Sequence, residues 1–286
     1  MTGQGSTSGT NAHALPARGP AQPIGIFDSG VGGLSVLADL RRVLPHEDVL
    51  YLADSAHVPY GDRDRQDVQA LTLAGVNWLR EQGCKLVVIA CNTACAFSLN
   101  PVREALDLPV VGLVPALKPA VHATRSGRVA VLATRITLDG DLLEGVVTEH
   151  ARPNGVQVMK LWERRLVPLV EAGGAQSDEA RALLHEVLTP ALQAGVDALV
   201  LGCTHYPYLA PAIRAEFGDA FTLFDSGDGV ARQTRRRLEA VNALNPAGTP
   251  GRVSVFTTGD PARVTPGVRQ LLPDAPTVQH ATVLPV

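Results

Sequence analysis

Ala198-Leu199-Val200-Leu201-Gly202-Cys203-Thr204-His205-Tyr206-Pro207-Tyr208 opens with a short apolar run, the pattern of a strand buried on both faces of a parallel sheet. The run stops at Gly202, and a thiol, a hydroxyl and an imidazole follow on consecutive residues. Pro207, with its fixed φ and no N–H, suits the first turn of a following helix. Ligands of open α/β sheets sit at the carboxyl ends of the strands, where these polar groups fall. A cysteine there, close to helix-terminal N–H groups, can become a reactive thiolate.

A second stretch is built the same way. Lys85-Leu86-Val87-Val88-Ile89-Ala90-Cys91-Asn92-Thr93-Ala94 is again an apolar run, a small residue, a cysteine and polar neighbours. Two strand-end thiols far apart in sequence predict two halves facing one substrate. The fold class that follows is α/β, with two doubly wound parallel-sheet domains and the active site in the cleft between them.

The 286 residues hold one large domain or two modest ones. Hydrophobic residues are 45% and charged residues 19%, the balance of a soluble globular protein. A net charge of −3 gives none of the basic surface that nucleic-acid binders need. No window reaches the roughly 18 uninterrupted apolar residues of a membrane helix. Residues 1–22 are rich in Gly, Ser, Thr, Ala and Pro and lack the pattern of a signal peptide, which predicts a disordered leader. Four cysteines without an export signal point to reduced thiols in the cytoplasm.

Outward from the two stretches, strands are expected at 23–27, 48–53, 109–114, 128–132, 156–161, 221–224 and 252–257. Helices are expected from Leu34 to Leu44, Asp64 to Gln82, Thr137 to Glu149, Glu179 to Ala194, Val230 to Val241 and Ala262 to Leu272. The cluster Gly30-Val31-Gly32-Gly33 lets backbone approach a ligand closely, and the helix start offers N–H groups to an anion such as a carboxylate. It matches neither the dinucleotide fingerprint nor a P-loop. Phe224-Asp225-Ser226-Gly227 echoes Phe27-Asp28-Ser29-Gly30, a hint of duplication.

Two opposed thiols suit one chemistry well. A proton on the carbon beside a carboxylate is a poor acid, and a thiolate shielded from water can remove it. A thiol on the opposite face then returns a proton, giving the mirror image without metal or cofactor. The competing reading makes Cys91 and Cys203 small core residues, as free cysteines usually are. Cys84 lacks polar neighbours and reads as structural. Cys95, one helical turn past Cys91, is no thioredoxin-like partner, and the cysteine–histidine spacings fit no usual zinc site. His205 is either a hydrogen-bonded histidine or the group that readies the Cys203 thiol. Asp28 and Asp54 also read as turn residues, Glu171 as a solvated helix-end acid and Tyr60 as a half-buried loop aromatic. Spacing leaves both readings of these residues open.

Gly25-Ile26-Phe27-Asp28-Ser29-Gly30-Val31-Gly32-Gly33-Leu34, Pro59-Tyr60-Gly61, Ala90-Cys91-Asn92-Thr93-Ala94 and Leu201-Gly202-Cys203-Thr204-His205-Tyr206-Pro207 resemble, in order, the motifs of the glutamate racemases in the aspartate/glutamate racemase superfamily. The resemblance implies cofactor-independent interconversion of L- and D-glutamate, supplying D-glutamate for bacterial peptidoglycan, and a homodimer. It implies a first α/β domain of residues 23–115 plus 226–286 and a second of 116–225. By that resemblance Cys91 takes the proton from the D face and Cys203 from the L face, Asp28 assisting the first and His205 and Glu171 the second. Asp28, Ser29, Tyr60, Gly61, Asn92, Thr93, Thr134, Thr204 and His205 would hold the substrate. The chain departs from the family pattern at Ala133, Cys95, Gly140 and Leu143. Aspartate or hydantoin racemases would share the thiol pair, and a binding protein on the same fold would need no working thiols.

Overall fold

The computed structural model describes residues 19–246 and 248–284, so most of the expected leader, 1–18, lies outside the described residues. Among the described residues, ten strands form two parallel sheets. The larger contains β1 (Ile24–Asp28), β2 (Val49–Ala53), β3 (Leu86–Ile89), β4 (Val110–Gly112), β9 (Val253–Thr257) and β10 (Val278–His280), in the order β10-β9-β2-β1-β3-β4. The smaller contains β5 (Arg128–Leu132), β6 (Gln157–Leu161), β7 (Ala198–Leu201) and β8 (Thr222–Phe224), in the order β6-β5-β7-β8.

The apolar runs become central strands because both faces are covered. In β7, Ala198 and Val200 pack with Val129 and Val131 of β5 on one face. Leu199 and Leu201 pack with Ala130 and Leu132 on the other. Alternating side chains thus feed two cores, and no position in the run can be polar. The two longest helices among the described residues, Arg65–Glu81 and Asp178–Gln193, start where short polar side chains cap them: Asp64 accepts from the N–H of Asp67 at 2.8 Å, and Ser177 from that of Ala180 at 3.1 Å.

Three local expectations change. The helix expected from Thr137 to Glu149 is broken into Arg135–Asp139 and Asp141–Val146, continued by a wider π turn at Val147–Ala151. Gly140 sits extended at the break, φ −78° and ψ 147°, and a Cβ there would stand 3.0 Å from that of Ala96. The helix Leu117–Ala123 and the edge strand β10 are additional. Among the described residues no helix is long and apolar enough to cross a membrane.

At the amino ends of the larger sheet, Lys85 and Glu47 form an ion pair at 2.5 Å with side chains 1% and 2% exposed. The ammonium also donates to the Pro20 carbonyl, and the carboxylate accepts from the N–H of Asn245 at 2.8 Å. Removing one partner of a dry pair strands the other charge. Lys85→Met is therefore expected to lower unfolding stability by roughly 3 kcal/mol, and the double change Glu47→Leu/Lys85→Met to recover most of it, as read from denaturant midpoints.

Candidate active site

In both sheets the chain winds to one side of its first strand and then crosses to the other, from β2 to β3 around β1 and from β6 to β7 around β5. A crevice opens beyond the carboxyl ends at each such reversal. Asp28 ends β1 and Ser29 follows it, Cys91 comes two residues after β3, Thr134 two after β5, and Cys203 two after β7. The two crevices face each other as one cleft of about 490 Å³, its mouth included. Ser29, Tyr60, Gly61, Cys91, Asn92, Thr93, Thr134, Cys203, Thr204 and His205 all line it. Asp28 and Glu171 stand behind these residues, within hydrogen-bonding reach of them.

Cys91 is the N-cap of the helix Asn92–Ala105, its sulfur accepting from the N–H of Ala94 at 3.4 Å. The thiol donates to Ser29 Oγ at 3.5 Å. Burial, and then the Asp28 charge, push the Cys91 thiol well above its ordinary pKa, so it rests protonated. Asp28 accepts from the N–H groups of Ser29 (2.7 Å) and Gly33 and from Tyr51 Oη at 3.3 Å. Burial raises its carboxyl to about 6 against the opposing pull of His205 and the Gly33 N–H. Cys95 lies away from the cleft, its sulfur donating to the Ile89 carbonyl and accepting from the N–H of Leu113, and burial pushes it up to about 12.

On the opposite wall Cys203 Sγ lies 3.5 Å from His205 Nδ1, and His205 Nε2 lies 2.5 Å from Glu171 Oε1. Burial alone would push this imidazole down, but its bonds to Cys203 and Glu171 outweigh that and hold it well above the ordinary histidine value. Burial likewise opposes the Glu171 carboxylate, and the His205 bonds together with the Val31 N–H still bring its pKa below the usual range. Glu171 is no solvated helix end, since its side chain is 18% exposed.

The glycine cluster serves this wall rather than a ligand. A Cβ on Gly30 would overlap Glu171 Oε1, and one on Gly32 would lie 2.5 Å from His205 Nδ1. The N–H groups expected to meet an anion meet carboxylates of the chain itself, Val31 binding Glu171 at 2.9 Å and Gly33 binding Asp28. Gly32→Ala must displace His205 from Cys203. We expect turnover to fall by about tenfold or more while the melting temperature changes little, because the clash is with a side chain at the cleft.

Tyr60 is fully buried, not half-buried, at 1% exposure. Its hydroxyl donates to Asp54 Oδ2 at 2.5 Å, and Asp54 Oδ1 is held by Thr258 Oγ1 (2.6 Å) and His57 Nδ1 (2.8 Å). Asp54 is therefore more than a turn residue, since it fixes a cleft wall. Thr93 and Thr134 bridge the two sides through their hydroxyls at 2.9 Å. Trp162, Glu163, Arg164 and Tyr206 also line the cleft, and the sequence signals above give none of them a role of its own. The first three directly follow β6, so the strand-end rule applied to that strand would have found them. Among the described residues no group of three or more His, Cys, Asp or Glu side chains is placed to hold a metal ion.

The sequence model of the Asp/Glu/hydantoin racemase family matches residues 32–234. The glutamate racemase of Deinococcus radiodurans is 59% identical over 249 residues, 87% of this chain and 86% of that protein. The solved structure of Escherichia coli glutamate racemase with L-glutamate and the activator UDP-MurNAc-Ala is 34% identical and superposes with a TM-score of 0.78, covering 92% of this chain and 99% of that one. The glutamate racemase of Francisella tularensis with D-glutamate superposes with a TM-score of 0.80 at 26% identity, covering 92% and 98%.

Proposed function

The chain belongs to the Asp/Glu/hydantoin racemase family, and from that premise we propose that it interconverts L- and D-glutamate with its own side chains as the only acids and bases. The observation that carries this reading is the delivery of one cysteine from each sheet to the same cleft. D-glutamate so made supplies peptidoglycan synthesis.

Cys203, beside the imidazolium of His205, takes the α-proton of L-glutamate. The electron pair left on Cα takes the proton of the Cys91 thiol on the other face, giving D-glutamate. The two thiols are then in exchanged protonation states, and the reverse reaction uses them in reverse. His205 stabilises the thiolate of Cys203 by its charge, and Glu171 keeps that charge on the ring. Asp28 acts on Cys91 through Ser29, which accepts the thiol hydrogen bond. Asn92 Nδ2 is buried at the cleft without a hydrogen-bond partner among the described residues, a donor for a substrate carboxylate. Ser29, Tyr60, Gly61, Thr93, Thr134, Thr204 and His205 complete the substrate's surroundings in this scheme.

The lobes proposed for it are residues 23–115 plus 226–286 and residues 116–225. In support, every strand of the larger sheet falls in the first set and every strand of the smaller in the second. A homodimer in the cytoplasm is proposed on family resemblance alone. The test is polarimetry of the purified protein with L-glutamate and no added cofactor. Rotation should decay to zero at constant total glutamate. Decay with L-aspartate alone would move the substrate, and decay with neither would leave a binding protein.

A further inference from the structure

The scheme above leaves one donor on the Cys203 wall unused. Tyr206 follows His205 in the single turn Tyr206–Leu209 and lines the cleft. It is fully buried, yet its hydroxyl has no hydrogen-bond partner among the described residues. Tyr51 and Tyr60 are satisfied, by the Gly30 carbonyl at 2.8 Å and by Asp54, and Tyr208 is unpaired like Tyr206; of the residues with an unpaired buried side-chain atom among those described, only Asn92 and Tyr206 line the cleft. A buried hydroxyl left unpaired is costly, and beside a cleft a ligand can complete it. Its neighbours bond elsewhere: Thr204 Oγ1 is turned to Asp28, and His205 is held between Cys203 and Glu171. Glu163 lies close enough to act on the phenol electrostatically, but its carboxylate is taken by Arg165 through two bonds of 2.8 and 2.7 Å. Burial first, with the charges at Cys203 and Glu163, keeps this phenol well above its ordinary pKa, so it remains a donor.

The geometry points to Tyr206 as a further substrate-binding residue, its hydroxyl donating to a carboxylate of the amino acid on the Cys203 side of the cleft. It answers Asn92 on the Cys91 side, so that a substrate with two carboxylates meets one unpaired buried donor on each wall. This rests on the glutamate reading given above.

Tyr206→Phe removes a single oxygen and tests the assignment. Without substrate the variant should melt at or above the wild-type temperature, because an unpaired buried group is gone. With substrate, KM should rise about tenfold to a hundredfold, the worth of one hydrogen bond to a charged group, while kcat stays within about threefold. The upward shift of the melting temperature by saturating glutamate should shrink in parallel. Unchanged KM and an unchanged glutamate-induced shift in an active protein would overturn the assignment while leaving the racemase reading intact. A wild-type protein that neither inverts glutamate nor is stabilised by it would remove the premise and the assignment together.

Discussion

Cys91→Ser and Cys203→Ser should each lower the rate of glutamate inversion by about a thousandfold or more, since a positioned acid–base group contributes roughly 10²–10⁴-fold and the proposed inversion uses both thiols. Serine preserves size and burial but ionises far less readily than a thiol, so the loss is chemical rather than structural. The melting temperatures should stay near wild type. The two variants should differ in what survives. Cys203→Ser keeps the thiol assigned to the D face and should still exchange the α-proton of D-glutamate slowly with solvent, without inversion. Cys91→Ser should show the mirror preference for L-glutamate. Proton NMR in D2O reads both, and undiminished inversion in either variant would sink the scheme.

Glu171→Gln should change the shape of the pH profile as well as its height. In the wild type the Glu171 carboxylate, 2.5 Å from His205 Nε2, helps keep the ring charged in a buried site. A neighbouring negative charge raises a histidine pKa, and burial lowers it. Without the carboxylate, burial gains weight and the ring loses its proton at a lower pH. The alkaline limb of kcat/KM should therefore move to lower pH. The loss should be about 10²-fold near pH 8 and smaller near pH 6, where the ring regains its proton. Both substrate enantiomers should lose kcat/KM equally, because the equilibrium constant between mirror images is one. A uniform loss at every pH would make Glu171 a structural support only.

Much of the site was legible because one local pattern encodes it twice. An apolar run that can only be a buried strand, broken by a small residue and a cysteine, fixes both where the chain emerges and what it presents. Cys91 and Cys203 follow from that pattern alone. His205 sits in the same stretch as Cys203, but Ser29 and Glu171 reach the two thiol walls only through the packing of segments distant in sequence. Nothing in Gly30 or Gly32 reveals that Glu171 and His205 will pack against them, and nothing in Asp54 reveals Thr258. The helix Leu117–Ala123 was obscured by Pro119, and β10 is three residues of which two are polar. The break falls at Gly140, which is closely packed on Ala96, and no periodicity carries it. Tyr206 reads as part of a motif, and only an unpaired hydroxyl on a residue that lines the cleft separates it from the core.

The central claim is that two different thiols serve the two faces of one carbon. Its most direct test follows L-glutamate with the wild-type protein in D2O at early conversion, measuring deuterium at Cα in each enantiomer separately. Two bases predict D-glutamate that carries solvent deuterium at Cα from the first turnovers, while the remaining L-glutamate stays protiated. Deuterium entering L-glutamate as fast as D-glutamate forms, or D-glutamate retaining the substrate's own hydrogen, would mean a single base working both faces and would contradict the account.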